Sequence, residues 1–176
     1  MKEKVILVDE NDKEVGSLEK MAAHLNGGRK HRAFSVLVFN NKHELMLQQR
    51  ALSKYHCGGM WTNTCCSHPR LNEETEAAAH RRLMEEMGID CELKEVFSFN
   101  YEAKVNNELT ENEFDHVFIG NFNDEPKINK DEAEAWKWIS IAELEKEVRQ
   151  NPEKFTVWFK VILLGLLENK IFKKLI

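Results

Sequence analysis

Cys66 and His68 stand two apart in the polar segment Thr62-Asn63-Thr64-Cys65-Cys66-Ser67-His68-Pro69, and Glu73, Arg81, Glu85, Glu86 and Gly88 follow directly. A thiol is a polarizable nucleophile, or a base once ionised; imidazole binds borderline metals, and carboxylates gather divalent cations. That density of reactive groups points to chemistry rather than packing. His24, His31, His68, Glu111 and Glu113 together make an imidazole-plus-carboxylate set suited to a divalent transition ion such as Mn²⁺ or Zn²⁺. Glu111 and Glu113 would share one strand face by the two-residue period, but spacing alone does not bring the three segments together. His43, His56, His80 and His116 read as ordinary surface or core histidines.

The elements that must position these groups are readable in outline. Lys4 to Val8 and Glu14 to Leu18 flank the polar turn Glu10-Asn11-Asp12-Lys13 and predict a hairpin. Ala33 to Phe39, the turn Asn40-Asn41-Lys42 and Glu44 to Arg50 predict a second one. From Asn72 the period changes: Asn72 can cap, Glu73, Glu74 and Glu76 suit a first turn, and Ala79, Leu83 and Met87 form an apolar stripe before Gly88. That segment predicts a helix. Glu92 to Tyr101, Asn112 to Phe122 and Ala135 to Ile139 predict strands, and Ser140 with Glu143 makes a capping box for a short helix. Asn151-Pro152 opens a last helix, to about Asn169, whose Phe155, Trp158, Phe159, Ile162, Leu163 and Leu166 should cover a sheet. The expected class is α/β (α+β), a mixed sheet layered between helices, in a single domain over residues 1–176.

Size and charge narrow the function. A chain of 176 residues fits the usual ~100–200 residues of one hydrophobic core. A net charge of −5 repels nucleic acid and anionic membranes at long range, so any anionic ligand must be held by local cations or a metal. The longest apolar run, Val161 to Leu167, is far short of the ~20 residues a bilayer crossing needs. The apolar run Val5 to Val8 ends too soon at Asp9 to be a signal h-region, so the expected compartment is the cytoplasm, with Cys57, Cys65, Cys66 and Cys91 reduced.

Glu73, Arg81, Leu83, Glu85, Glu86, Gly88 and Ile89 match most of the Nudix box in spacing, with Ser67 at the position of its glycine and Arg82 at the position of the glutamate after its arginine. Loss of that glutamate weakens a hydrolase reading. On a helical wheel Glu86 falls within about 20° of Ala79, at the border of the buried face, and Glu85 points further outward. Thr62 to Pro69 closely resembles the active-site cysteine segment of the type I isopentenyl-diphosphate isomerases, Nudix relatives that isomerise rather than hydrolyse. Arg50-Ala51-Leu52-Ser53-Lys54, Trp61-Thr62-Asn63 and Glu111-Asn112-Glu113 resemble the same family, and the likeness runs from about Leu18 to Trp158. Ser67 and Arg82 resemble what the isomerase branch carries.

The resemblance implies a Nudix fold and a chemistry that moves a double bond between isopentenyl and dimethylallyl diphosphate. It implies Cys66 and Glu113 as base and acid on opposite faces of the substrate, with Tyr101 assisting Glu113. It implies His24, His31, His68, Glu111 and Glu113 as ligands of a Mn²⁺ or Zn²⁺ ion, and Mg²⁺ near Glu86 once substrate phosphate is present. Lys20, Arg50, Lys54 and Arg82 would hold the diphosphate, Trp158 would face the transient cation, and nearby cations would lower the Cys66 thiol. Cys65, Cys57 and Cys91 are expected to be small buried fillers. The expected partners are an isoprenoid diphosphate, no nucleic acid and no membrane, for a monomer or homodimer. Two rivals stay open: a Nudix hydrolase of nucleotide diphosphates using Glu85 and Glu86, and a non-catalytic interaction domain whose metal is structural.

Overall fold

The computed structural model describes residues 2–106 and 108–168. In chain order the strands are β1 (Lys4–Val8), β2 (Glu14–Glu19), β3 (His31–Phe39), β4 (Glu44–Arg50), β5 (Trp61–Thr62), β6 (Cys65–Ser67), β7 (Leu93–Lys104), β8 (Thr110–Asn121) and β9 (Ala133–Ser140). The helices are α1 (Lys20–His24), α2 (Thr75–Met87), α3 (Ile141–Gln150) and α4 (Val157–Glu168). Among the described residues, no helix is long and apolar enough to cross a membrane.

β3 is the spine, because its apolar residues are buried on both faces and it must therefore be covered on both. It runs parallel to β8 from His31 opposite Glu113 to Phe39 opposite Asn121. Its other edge takes β6, with Phe34, Ser35 and Val36 opposite Ser67, Cys66 and Cys65. β7 closes antiparallel on the far side of β8 and places Tyr101 opposite Glu113.

Alternate residues feed two cores. Phe34, Val36, Val38, Met46, Cys65 and Phe118 pack with Ala78, Ala79, Leu83 and Met87 of α2. Leu37, Phe39, Leu45, Leu47, Val117 and Ile119 pack with Phe159, Ile162, Leu163 and Leu166 of α4. The sheet is thus layered between helices, as expected, and each stripe does the covering its spacing foretold. Fully burying a side chain such as Leu83 contributes about 2 kcal/mol.

Three expectations fail locally. The second hairpin exists only at its turn: Asn40 Oδ1 accepts from the Lys42 and Glu44 amides, but β3 and β4 share the single pair Phe39–Leu45. β4 then leaves to pair with β9 and β5. Turn chemistry reverses a chain without deciding which strand a twice-buried strand will pair with. Asn72 does not cap α2; it sits in a turn at φ +62°, and the helix begins after Glu74. Glu73 instead accepts from the Arg70 amide and, through both carboxylate oxygens, from Arg81 Nε and Nη2, which fixes the loop ahead of the helix. Pro152 opens only a 3-10 turn over Pro152–Lys154. Phe155 then bridges to Trp61 and the Thr156 amide donates to the Trp61 carbonyl, so α4 starts at Val157. The expected end at Asn169 lies outside the described residues.

Candidate active site

The face of β8 that looks toward α4 carries Glu111, Glu113 and Asp115 before it turns apolar at Val117. All three carboxyls are buried, between 1% and 7% exposed. Carboxylates survive burial only with partners, and register supplies them. His31 opens β3 directly beside Glu113, and Tyr101 faces it from β7.

His24 ends α1, a helix capped by the Glu19 side chain. The loop back to β3 passes against β8 at Gly28, where φ is +73° and a Cβ would stand 2.9 Å from the Thr110 carbonyl oxygen. That close approach brings His24 and His31 to within 4.8 Å, centroid to centroid. His68 arrives just after β6.

The histidine tautomers follow from their partners. His24 Nδ1 lies 2.6 Å from the Lys20 carbonyl oxygen and His31 Nδ1 2.7 Å from the Arg29 carbonyl oxygen. A carbonyl can only accept, so both Nδ1 atoms carry hydrogen and both Nε2 atoms turn a lone pair inward. His31 Nε2 is 3.1 Å from His68 Nε2, which is 2.9 Å from Glu113 Oε1. His24 Nε2 is 3.0 Å from Glu111 Oε2, yet both atoms lack an aligned hydrogen bond among the described residues. Ligand atoms of His24, His31, His68 and Glu113 lie within 4.8 Å of one another. Converging lone pairs and orphaned buried atoms fit a divalent cation better than a hydrogen-bonded network. Glu111 stands at the edge of this group, touching His24.

Burial tends to raise the Glu113 carboxyl, but the imidazoles of His31 and His68 beside it outweigh burial and hold Glu113 well below the usual carboxylate range. The Tyr101 hydroxyl donates to its other oxygen. Burial pushes His68 down to about 4, against the pull of Glu113, so its imidazole is neutral. Burial and the charge of Glu113 push Asp115 well above the carboxylate range, the Ser35 hydroxyl opposing from 2.9 Å.

Cys66, Glu111, Glu113, His68, Tyr101, Trp158 and all four expected cations line one cavity, with Glu86 at its side. His24 and His31 lie behind that lining, 1% and 0% exposed. In the ligand-free protein the thiol is raised. Burial pushes Cys66 up to about 12, with Arg50 opposing and Glu86, Glu113 and Asp115 adding to the rise. The other three cations are each paired with carboxylates: Lys20 with Glu3, Lys54 with Glu132, and Arg82 with Glu85, Glu86 and Glu132. Glu85 lies on the surface in contact with Arg81 and Arg82, as its place on the wheel suggested. Glu86 is buried and accepts from Gln48 at 2.9 Å.

Trp158 is fixed by its indole N–H donating to Thr62 Oγ1 at 2.9 Å, and Arg50 lies over its ring at 5.3 Å. Cys65 is fully buried toward α2, the opposite face from Cys66. Three contributors escaped the sequence reading. Asp115 extends the alternation of Glu111 and Glu113 and was findable by that period. Glu132, which clasps Lys54 and Arg82, and His56, whose Nε2 is 2.7 Å from Glu111 Oε1, come from loops and carry no local signal.

Comparison with known proteins agrees with this geometry. The chain matches the NUDIX domain over residues 29–159. It is 55% identical over 163 residues to isopentenyl-diphosphate Delta-isomerase 2 of Aromatoleum aromaticum, covering 93% of this chain and 86% of that one. Isopentenyl-diphosphate Delta-isomerase 2 of Photorhabdus laumondii is 53% identical over 94% of this chain and 93% of its own, and the Delta-isomerase of Serratia proteamaculans 50% identical over 97% and 95%. Among solved structures, DR0079 of Deinococcus radiodurans superposes with a TM-score of 0.70 at 17% identity, covering 84% of this chain and 90% of that one. The MutT protein of Methanosarcina mazei follows at 0.66 and 19%, over 80% and 95%. At such identities these two speak for the fold alone.

Proposed function

The chain belongs to the isopentenyl-diphosphate Delta-isomerase family, built on a Nudix domain, and we propose that Cys66 and Glu113 carry that family's reaction here. The reaction interconverts isopentenyl and dimethylallyl diphosphate in isoprenoid biosynthesis. One observation carries the assignment: a half-buried thiol and a buried carboxyl, from the two strands flanking β3, open on one cavity that also holds four cations. The relatives' names favour it over nucleotide hydrolysis, as does the engagement of Glu85 with surface arginines.

Moving the double bond adds a proton to one alkene carbon and removes one from another, through a tertiary carbocation-like state. Toward dimethylallyl diphosphate, Glu113 gives the proton and Cys66, as thiolate, takes the other. The turn ends with the proton on sulfur and a bare carboxylate. That is the charge state burial and hydrogen bonding favour in the ligand-free protein, so it is the state from which the reverse direction starts. The forward direction needs the proton on Glu113, to which Tyr101 is hydrogen-bonded, and Arg50 is the cation that favours the thiolate.

Lys20, Arg50, Lys54 and Arg82 bind the diphosphate, its oxygens replacing Glu3 and Glu132 as partners. Trp158 walls the hydrocarbon end. His24, His31, His68 and Glu113, with Glu111 beside them, would hold Mn²⁺ or Zn²⁺, which strengthens a carboxyl acid it ligates. Glu86 would hold Mg²⁺ against the diphosphate oxygens. The protein works in the cytoplasm as one domain over 1–176, monomer or homodimer, without nucleic acid or membrane.

The test is to incubate the protein with isopentenyl diphosphate, Mg²⁺ and D₂O, following dimethylallyl diphosphate and deuterium uptake by NMR. Cys66→Ser and Glu113→Gln should each lower turnover by about 10²–10⁴. Near-normal turnover by Cys66→Ser would remove the base, and release of monophosphate from a nucleotide would restore the hydrolase reading.

A further inference from the structure

We infer that His56 is a positioning residue for the metal centre, presenting Glu111 to the ion through one oxygen. The inference rests on reading the His/Glu group as a metal site. Glu111 is 3% exposed and its two oxygens have separate neighbours. Oε1 lies 2.7 Å from His56 Nε2, while Oε2 lies 3.0 Å from His24 Nε2 and has no hydrogen-bond partner among the described residues. A carboxylate can only accept, so His56 donates its Nε2–H. That hydrogen bond occupies one oxygen and leaves the other facing the histidine group, which is the orientation a single-oxygen metal ligand requires. Hydrogen bonds to a ligand's remaining atom fix its geometry and its basicity.

A histidine that merely filled the core would have both ring nitrogens partnered. His56 Nδ1 is buried without a hydrogen-bond partner among the described residues, and the ring directs its one proton at Glu111. Nor does His56 stand as a ligand itself: its Nε2 is taken up by Glu111 Oε1, whereas the unpartnered Oε2 of Glu111 touches His24, a member of the converging group. The residue comes from the loop between β4 and β5, not from the sheet. Its ring is 5.8 Å from Trp158, and its carbonyl accepts from Arg50 Nη2 at 3.4 Å. One residue therefore joins Glu111, through its ring, to Trp158, and through its backbone carbonyl to Arg50, both of which line the substrate cavity.

Mn²⁺ affinity, measured by calorimetry on the metal-stripped protein, tests this without relying on turnover. His56→Phe keeps the ring and loses the donor; it should weaken Mn²⁺ binding about 10–100-fold. His56→Gln keeps an N–H donor and should recover most of that loss. Turnover should fall with metal affinity while KM for the diphosphate stays put, because Lys54 and Arg82 are untouched. Wild-type Mn²⁺ affinity in His56→Phe, or a glutamine variant as weak as the phenylalanine one, would overturn the inference. His68→Ala is the control: if it too binds Mn²⁺ normally, the metal reading itself has failed. Should His56→Phe not fold, His56→Ala with added imidazole replaces it, and failure of imidazole to restore Mn²⁺ binding would be equally decisive.

Discussion

Replacing Thr62 by valine keeps the shape of a fully buried side chain and removes one hydroxyl that is used to capacity. That hydroxyl donates to Asn63 Oδ1, accepts from the Trp158 indole N–H, and shares a hydrogen bond with the Thr156 hydroxyl, each at 2.9 Å. A hydroxyl has one proton and two lone pairs, so nothing is left over. Thr62, Asn63 and Thr156 are 0% exposed and Trp158 4%, so water cannot take its place. An orphaned buried donor costs about 1–3 kcal/mol, and each further net hydrogen bond about 0.5–1.5. The Thr156 hydroxyl can rotate to recover part of its share, so the total should be about 3 kcal/mol. For a chain of this length that is roughly 6–12 °C in Tm. Urea unfolding gives the free energy, and a cycle with Trp158→Phe assigns it: without the indole N–H the valine change should cost at least 1 kcal/mol less. A loss under about 0.5 kcal/mol, or a cycle with no coupling, would refute the claim that this hydroxyl holds Trp158.

Glu73 offers a pH test. Hydrogen bonds from Arg81 hold its carboxyl below the ordinary value, against a smaller opposing effect of burial. A lowered folded-state value means its stabilisation is present above the ordinary carboxylate range and lost as pH falls through the lowered one. Glu73→Gln should therefore flatten the acid side of a stability-against-pH curve and leave its slope above neutrality unchanged. Gly88 ends α2 at φ +64°, its amide donating to the Met84 carbonyl, and a Cβ there would stand 2.5 Å from the Lys127 carbonyl oxygen. Gly88→Ala should cost at least ~1–2 kcal/mol in urea unfolding from the backbone alone, and a neutral result would mean that the Lys127 segment moves aside freely.

How much of this was legible depended on the range of the information. The stripe Ala79, Leu83, Met87 and the shared face of Glu111 and Glu113 are local periodicities, and both appear as read. That His31 lies beside Glu113 is a property of parallel pairing between β3 and β8, and no short window of sequence contains it; family likeness supplied it instead. His56 and Glu132 were missed for the same reason, since each matters only through a partner far along the chain. The setting of the Cys66 thiol is likewise a matter of tertiary packing, since burial dominates it and Arg50 opposes. Lys54 and Arg82 are cations in sequence, but Glu132 engages both.

Glu113, the proposed acid, sits between His31 and Tyr101 as a rung of a ladder whose spacing is set by backbone hydrogen bonding. Inserting or deleting one residue in the middle of β8 would turn its carboxyls to the opposite side, so this part of the centre is inherited whole or lost whole. The four cations proposed to hold the diphosphate, Lys20, Arg50, Lys54 and Arg82, come from a helix start, a strand end, a loop and a helix surface. They can be exchanged one at a time, so on the proposed roles substrate preference is free to drift while proton transfer stays anchored.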